Sequence, residues 1–368
     1  MALWDNKAGN SWLQKGKTLV ILVAAVLAGV GASSIGMPLA WVMGPLLVAA
    51  FASIAGEKIF APNSGRKLGQ LIVGSSVGLS LSAETPALIA EWFLLILVTP
   101  VVAVLVCALL SVPFGRIARL DRATAYFSLT PGGLAEMART GESEGANTEA
   151  VALSQTIRVA IIVMCLPWLL LTIGHDGGLS GPGDRAVLDW PSLAVVFAAA
   201  AALALLVRKL KANNSWMIGG LLGGGILAAS GLVEGRVPYL LFAAGQIMIG
   251  ISIGVRFKRD ALMALPRVAF ASTLFVPVVT TVLIVYAGIC AWFTGIDLST
   301  MALAASPGGL AEMALTAQAL HLNVALVTTF HLLRSFTVNA WSLQFYRLFQ
   351  RIGFFSAVER MFGWNRAR

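Results

Sequence analysis

Charged residues are scarce in this sequence of 368 residues: only 12% are charged, whereas 58% are hydrophobic and the mean hydropathy is +0.84. Soluble globular chains carry about 25% charged residues, so the composition excludes that class. Runs such as 18–30, 87–112 and 269–293 hold almost no charge. Crossing a hydrocarbon core takes about 20 apolar residues. The chain is therefore predicted to be an all-α, polytopic membrane protein.

Cysteine and histidine are equally scarce, with three of each. The cysteines lie inside apolar runs and the histidines lack metal-ligand spacing, so we expect neither disulfides nor a metal site. With no nucleophile or metal constellation, we expect no cofactor and no enzymatic activity, an intramembrane enzyme being the weakest option. The net charge of +9 resides in short loops. The longest segments outside the spans are too short for a DNA-binding domain, so nucleic acid is not an expected partner.

The sequence contains the same unit twice, 176 residues apart. Pro131–Met137 and Pro307–Met313 both read PGGLAEM, and the pattern Gly-Gln-x3-Gly-x3-Gly begins at both Gly69 and Gly245. We assign the repeats to 18–172 and 191–345, followed by an amphipathic cytoplasmic tail at 346–368. Each repeat has five predicted spans, which are 18–35, 38–56, 67–83, 87–113 and 148–172, then 191–207, 215–233, 238–255, 268–293 and 322–345.

The PGGLAEM segments are left over from these spans. The sixteen residues 123–138 would reach only about 24 Å as one helix, which is less than the hydrocarbon thickness. Pro131 disfavours helix at Thr130, and two glycines follow, so we expect the helix to break there. Each PGGLAEM segment is therefore predicted to form a re-entrant hairpin.

The basic residues support this topology. With hairpins, all but four of the 26 lysines and arginines fall on one side, which the positive-inside rule identifies as cytoplasmic. The exceptions are Arg185 and Arg236 outside, and Arg158 and Arg334 within spans. Five crossings per repeat is an odd number, so the second repeat would be inverted. Inverted repeats with broken helices are the architecture of many secondary transporters.

One carboxylate stands in the first turn after each break, Glu136 after the first and Glu312 after the second. Intramembrane carboxylates cost about 2.5–3.5 kcal/mol on insertion scales, so they usually face a cavity or a partner. One interpretation is a proton or cation site at each. The other is a hydrogen-bonded glutamate that fixes the hairpin to its neighbours.

Two arginines are predicted near the middle of the bilayer, Arg158 and Arg334, with Gln155 and His331 one helical turn before them. A guanidinium could bind a solute carboxylate as a fork, or it could neutralise Glu136 or Glu312. His331 could act as a proton relay or as a packing residue.

The remaining candidate residues surround these groups. The free amides of the two glycines after each proline suit a bound anion, so the substrate-binding candidates include Pro131, Gly132, Gly133, Pro307, Gly308 and Gly309. Gln70 and Gln246 are polar residues inside spans that could line the cavity, and the glycines near them permit close helix packing. Asp121 and Asp297 are expected to cap the first helix of each break.

The duplicated PGGLAEM segment, the Gly-Gln-x3-Gly-x3-Gly spans and the paired arginines together resemble the AbrB family of bacterial membrane proteins. The resemblance covers nearly the whole chain and implies a multi-pass protein of the bacterial inner membrane. Labels attached to this family include regulator and ammonia monooxygenase. Neither suits these residues, because no metal or flavin site and no DNA-reading module is present.

The leading hypothesis is a secondary transporter that moves a small anionic solute by alternating access, coupled to H⁺ or Na⁺. The alternative is a membrane sensor of the AbrB type that influences gene expression indirectly, without transport. The expected partners are the solute, the coupling ion and the lipid bilayer. Whether the protein forms a homodimer stays an open alternative.

Overall fold

The computed structural model describes residues 5–361 apart from 58, 60, 174–185, 211 and 213, and for 5–15 and 173 it describes the backbone only. Arg185, predicted on the outer side of the membrane, and the last seven residues of the predicted tail are thus not among the described residues. Within them the chain forms seventeen helices: α1 (Asp5–Ser34), α2 (Ala40–Ile54), α3 (Asn63–Gly78), α4 (Thr85–Glu91), α5 (Phe93–Ala118), α6 (Arg122–Leu129), α7 (Leu134–Glu142), α8 (Thr148–Ile173), α9 (Trp190–Lys209), α10 (Ser215–Ala229), α11 (Tyr239–Gly254), α12 (Arg259–Ala264), α13 (Pro266–Thr294), α14 (Leu298–Ala305), α15 (Leu310–Ala319), α16 (Val324–Arg351) and α17 (Phe354–Met361).

The prediction of a polytopic, all-helical membrane protein is confirmed at this level. Among the described residues, six helical segments are long and apolar enough to cross a bilayer. They are Gly16–Ser34, Phe93–Ala118, Thr148–Thr172, Trp190–Lys209, Tyr239–Ala264 and Pro266–Thr294. Two shorter apolar helices, α2 and α10, have 15 residues each.

Several helix boundaries differ from the predicted spans; α1, for example, begins at Asp5 instead of at residue 18. The span predicted at 87–113 is divided at Trp92, where the backbone leaves helical geometry (φ −99°, ψ 13°), so that α4 precedes α5. No proline or glycine stands at this position, which is why the sequence did not reveal the break. The last predicted span continues to Arg351 before α17 begins.

The helices form two compact units. Unit 1 contains α1–α3 and α9–α11, and unit 2 contains α4–α8 and α13–α17, with the boundary inside α12. Each unit thus combines helices from both predicted repeats. The repeats describe the sequence, whereas the units describe which helices pack together.

Unit 1 is held together by close helix contacts that glycine allows. α3 packs on α10, and α11 packs on α2. A Cβ atom on Gly74 of α3 would lie 2.5 Å from the Met217 carbonyl oxygen, and one on Gly250 of α11 would overlap the Val42 carbonyl. The predicted role of these glycines in close packing is confirmed.

Unit 2 is built around four long helices, α5, α8, α13 and α16, with the short helices α6, α7, α14 and α15 packed on them. α6 and α7 both contact α8, and α14 and α15 both contact α16. An aromatic cluster covers α6, in which the Tyr126 ring lies near those of Phe127, Tyr346, Phe349 and Phe355. The core around α14 and α15 is aliphatic.

α17 contributes to this aromatic cluster. Its Phe355 and Val358 side chains are buried within unit 2. Arg122, at the start of α6, donates from Nε and Nη2 to the two carboxylate oxygens of Glu359 at 3.1 and 2.6 Å. The described part of the predicted tail is therefore anchored to α6.

Candidate functional site

Each PGGLAEM segment interrupts a helix at the predicted position. α6 ends at Leu129 and α7 begins at Leu134, while Thr130 is extended (φ −58°, ψ 126°) because it precedes Pro131. In the second repeat α14 ends at Ala305 and α15 begins at Leu310. We call 130–133 the first link and 306–309 the second link. The predicted helix breaks are confirmed.

The aspartates before the breaks are N-caps, as predicted. Asp121 accepts a hydrogen bond from the Thr124 amide at 2.8 Å, and Asp297 accepts one from the Thr300 amide at 2.8 Å. The threonine hydroxyl extends the cap, because Thr124 Oγ1 accepts a hydrogen bond from the Asn147 amide at 2.8 Å. The equivalent contact in the second repeat is 3.4 Å. Each cap therefore ties the start of a broken helix to the start of the long helix that follows.

The two glycines of each link have separate steric roles. A Cβ atom on Gly132 would lie 2.6 Å from Met137 Cε, so this glycine leaves room for the methionine. A Cβ atom on Gly133 would overlap Oε2 of Glu136, whose side chain folds back over it. The second link repeats both contacts, Gly308 with Met313 and Gly309 with Glu312. In each PGGLAEM sequence the two glycines thus leave room for the methionine and the glutamate of the same motif, where the helix begins again.

Each arginine holds the link of its own repeat. Arg158 donates from Nη1 to the Thr130 carbonyl and from Nη2 to the Gly132 carbonyl, both at 3.1 Å. In the second repeat Arg334 donates to the equivalent carbonyls, those of Ser306 and Gly308. Both side chains are buried, with 5% and 4% exposure. A cation here also compensates the negative end of the helix dipole of α6 or α14.

The residues one turn earlier complete this arrangement. Gln155 Nε2 donates to the carbonyls of Phe127 and Thr130 at 2.9 and 2.8 Å. His331 Nε2 lies 2.9 Å from the Leu303 carbonyl. Each therefore contacts the last carbonyls of a broken helix, which have no partner within the helix itself.

Each arginine keeps one nitrogen, Nε, that forms no hydrogen bond within the described part of the chain. Among the described residues, the Nε atoms of Arg158 and Arg334 have no hydrogen-bond partner, and neither do Gln155 Oε1 and His331 Nδ1. In the same part of the chain neither arginine forms a direct ion pair with a glutamate.

The two links belong to the same unit, and the helix after each link packs on a helix of the other repeat. α7 packs against α16, and α15 packs against α8. The Gly133 amide donates to Asn339 Oδ1 on α16 at 3.1 Å. Glu136 and Glu312 are each partly exposed. Unit 2 thus places two carboxylates and two arginines around the breaks.

Gln70 and Gln246 belong to unit 1, whereas the other candidate residues belong to unit 2. Both are 7% exposed, and Gln70 Nε2 lies 3.4 Å from Asn214 Oδ1. Their proposed role in lining a cavity stays a prediction.

Sequence reasoning overlooked three features of the site. Thr124 and Thr300 stand three residues after the predicted capping aspartates, a spacing that could have indicated them. The methionine partners of the first glycines were visible in the motif itself. Asn339 had no sequence signal, because its partner is a backbone amide 206 residues away.

Comparison with known proteins identifies the family of this chain. The family described as "Transition state regulatory protein AbrB" matches residues 41–350. "Uncharacterized protein YhjN" of Bacillus subtilis (strain 168) is 26% identical over 362 residues, which cover 91% of this chain and 94% of that protein. "Putative regulator AbrB" of Escherichia coli (strain K12) is 25% identical over 331 residues, covering 87% and 92%. The chain therefore belongs to the AbrB family, as its duplicated motif and paired arginines indicated.

Proposed function

We propose that this protein is a secondary transporter of the bacterial inner membrane that moves a small anionic solute by alternating access. One observation carries the proposal: two helices, broken by the same sequence, lie in one unit, and each break has a buried arginine and a partly exposed carboxylate beside it. Broken helices place backbone dipole ends inside the membrane, where transporters bind solutes and ions. Enzymatic activity forms no part of the proposal.

The helix contacts support an inverted-repeat architecture with re-entrant hairpins. Contacts in both units occur in equivalent pairs: α3 with α10 matches α11 with α2, and α7 with α16 matches α15 with α8. Two copies related by a pseudo-two-fold axis would give this pattern. Combined with the distribution of basic residues, it leads us to propose that both termini are cytoplasmic.

The charges suggest how solute and ion would bind. The free Nε–H groups of Arg158 and Arg334 are buried donors that suit an anion. Glu136 and Glu312 are the groups we propose to exchange H⁺ or Na⁺, because their carboxylates are partly exposed and adjoin the links. Two arginines and two glutamates balance in charge, so an entering anion would favour entry of a cation with it.

A second candidate is a membrane sensor that affects gene expression without transport. The observation in its favour is the description of the family and of the Escherichia coli relative as regulators. The same links could bind a ligand whose occupancy changes the contacts of unit 2. A homodimer is compatible with either function.

Flux measurements in proteoliposomes separate the two candidates. Purified protein would be loaded with candidate organic acids, and counterflow of labelled solute would be recorded with and without H⁺ and Na⁺ gradients. A transporter gives saturable counterflow, which Glu312→Gln uncouples from the ion gradient while the protein stays folded. Glu142→Gln, near the end of α7, is the matched control. Ligand binding without any counterflow would favour the sensor.

Topology has an independent test. In a variant without native cysteines, Lys209→Cys should resist impermeant thiol reagents in intact cells, because the loop at 208–214 is proposed to be cytoplasmic. Labelling of that cysteine from outside would refute the inverted-repeat proposal.

A further inference from the structure

The same amino-acid sequence has different surroundings in the two repeats. PGGLAEMA occurs once in each repeat, and it forms the link and the beginning of α7 in the first repeat and of α15 in the second. Ala135 of α7 is exposed, whereas its equivalent in α15, Ala311, is 5% exposed. Leu134 is partly exposed, whereas its equivalent Leu310 is 2% exposed. Because these residues are identical, the difference comes from the packing around each helix.

The exposed positions of α7 share one face of that helix. Ala135 and Arg139 are four residues apart, so they lie on the same side, and both are exposed. The equivalent face of α15 is buried, with Ala311 at 5% and Leu315 at 1% exposure. The charged residue thus stands on the exposed face and the apolar residue on the buried one. An arginine favours water over lipid, so the face of α7 is a surface that meets water.

Both helices contact the other repeat through the methionine of the motif. Met137 of α7 lies in a buried apolar cluster with Val338 of α16. Met313 of α15, together with Ala317, lies in a cluster with Leu166 of α8. The contact at the methionine is therefore common to both helices. The face beside it is buried in α15 and exposed in α7.

The proposed topology places these two faces on opposite sides of the membrane. In it α7 returns to the cytoplasmic side and α15 returns to the outside. Alternating access in inverted-repeat proteins opens a central site to one side at a time. A helix with an exposed face on one side and an equivalent helix with a buried face on the other fit such a state. Exchange of the two packings would give the state that is open to the opposite side.

We propose that α7 and α15 are the inner and outer gates of the transport pathway, that the structure is the state open to the cytoplasm, and that Arg139 and Leu315 favour this state. The inference rests on the proposed function and adds the direction of access and two residues that control it. Closing α7 would bury the charge of Arg139, and opening α15 would expose Leu315. Both changes are unfavourable, so both residues oppose the state open to the outside.

Labelling of single cysteines measures the two gates separately. Ala135→Cys and Ala311→Cys would be made in the full chain after replacement of the three native cysteines. Inside-out and right-side-out vesicles would then be treated with a bulky, impermeant maleimide. Ala135→Cys should react from the cytoplasmic side at least about tenfold faster than Ala311→Cys from the outside, because the outer gate opens only in the minor state. Equal rates would overturn the assigned state.

Exchanging the residues that differ shows whether the two gates are coupled. Arg139→Leu gives α7 the apolar face of α15, so it should raise the labelling of Ala311→Cys from the outside at least about threefold and lower that of Ala135→Cys. The distant cysteine decides, because a nearby charge by itself changes the reactivity of a thiol. Arg139→Lys, which retains the charge, should keep the original rates at both positions.

The reverse substitution acts on the outer gate. Leu315→Arg should shift both rates in the same directions as Arg139→Leu, and here Ala135→Cys is the distant reporter. Should Leu315→Arg fail to fold, Arg139→Leu still decides, because its position is exposed. A response confined to the helix that carries the substitution would show a fixed difference between the two helices and overturn the inference.

Counterflow measured on the same variants separates the gates from transport itself. Opposite changes at the two cysteines without any counterflow would support the two gates and reject transport in favour of a sensor. Counterflow combined with labelling that never changes at the distant cysteine would overturn the gates and leave transport standing.

Discussion

Replacing Arg158 by alanine should destabilise the protein more than any other single change at the first link. The substitution removes two hydrogen bonds from a charged donor, to the carbonyls of Thr130 and Gly132. Such bonds contribute about 1.5–3 kcal/mol each; the Thr130 carbonyl would keep the bond from Gln155 Nε2, whereas the Gly132 carbonyl would lose its bond from the guanidinium. We therefore expect a loss of about 3–5 kcal/mol in the free energy of unfolding. Because the side chain is 5% exposed, water cannot readily replace the guanidinium.

The measurement is a denaturant titration in mixed micelles, followed by the fluorescence of the ten tryptophans. Arg139→Ala is the matched control: this arginine is exposed on α7, and its loss should change the free energy by no more than about 0.5 kcal/mol. Arg158→Lys should lose about half as much as the alanine variant, because an ammonium lacks the planar fork that reaches both carbonyls. Arg334→Ala should match Arg158→Ala, because the two contact sets are equivalent. An Arg158→Ala variant within about 1 kcal/mol of the wild type would refute the role assigned to this side chain.

The same geometry leads to three further predictions. Gly308→Ala should lower the free energy of unfolding by about 1–3 kcal/mol, because its Cβ would lie 2.5 Å from Met313 Sδ. Adding Met313→Ala should recover part of that loss in the same titration. Asp297→Ala should lower the free energy of unfolding by about 1 kcal/mol, because it removes the N-cap on the Thr300 amide. An unchanged unfolding midpoint would contradict this prediction. Glu359→Gln should weaken the contact of α17 with α6, so limited trypsin digestion should cleave the C-terminal segment several-fold faster, whereas an equal rate would show that the aromatic packing suffices.

The sequence predicted those features whose causes are local. A proline restricts the conformation of the residue before it, so the break at Pro131 follows from the amino-acid sequence alone. An aspartate before a helix caps it through an amide three residues later, which located the caps at Asp121 and Asp297. Both causes act within a few residues, and both predictions are confirmed.

The partners of the arginines could not be predicted in the same way. A buried guanidinium can satisfy a carboxylate, a solute or a backbone carbonyl, and a carbonyl leaves no trace in the amino-acid sequence. Arg158 and Arg334 hold carbonyls, so neither direct pairing with glutamate nor free binding of a solute describes their Nη atoms. The grouping of helices into two units also escaped prediction, because it depends on contacts between residues far apart in the chain.

Duplication of the chain explains why some positions match and others differ. A broken helix needs the same local solution in both copies: a proline, two glycines and an arginine that spans two carbonyls. These residues are identical in the two repeats because the backbone geometry that requires them is the same. Asn339 has no such constraint: it accepts the Gly133 amide from a neighbouring helix, and the equivalent position in the first repeat is Val163, which has no acceptor. The backbone of the links is therefore what the two copies share, whereas side chains on the neighbouring helices differ between them.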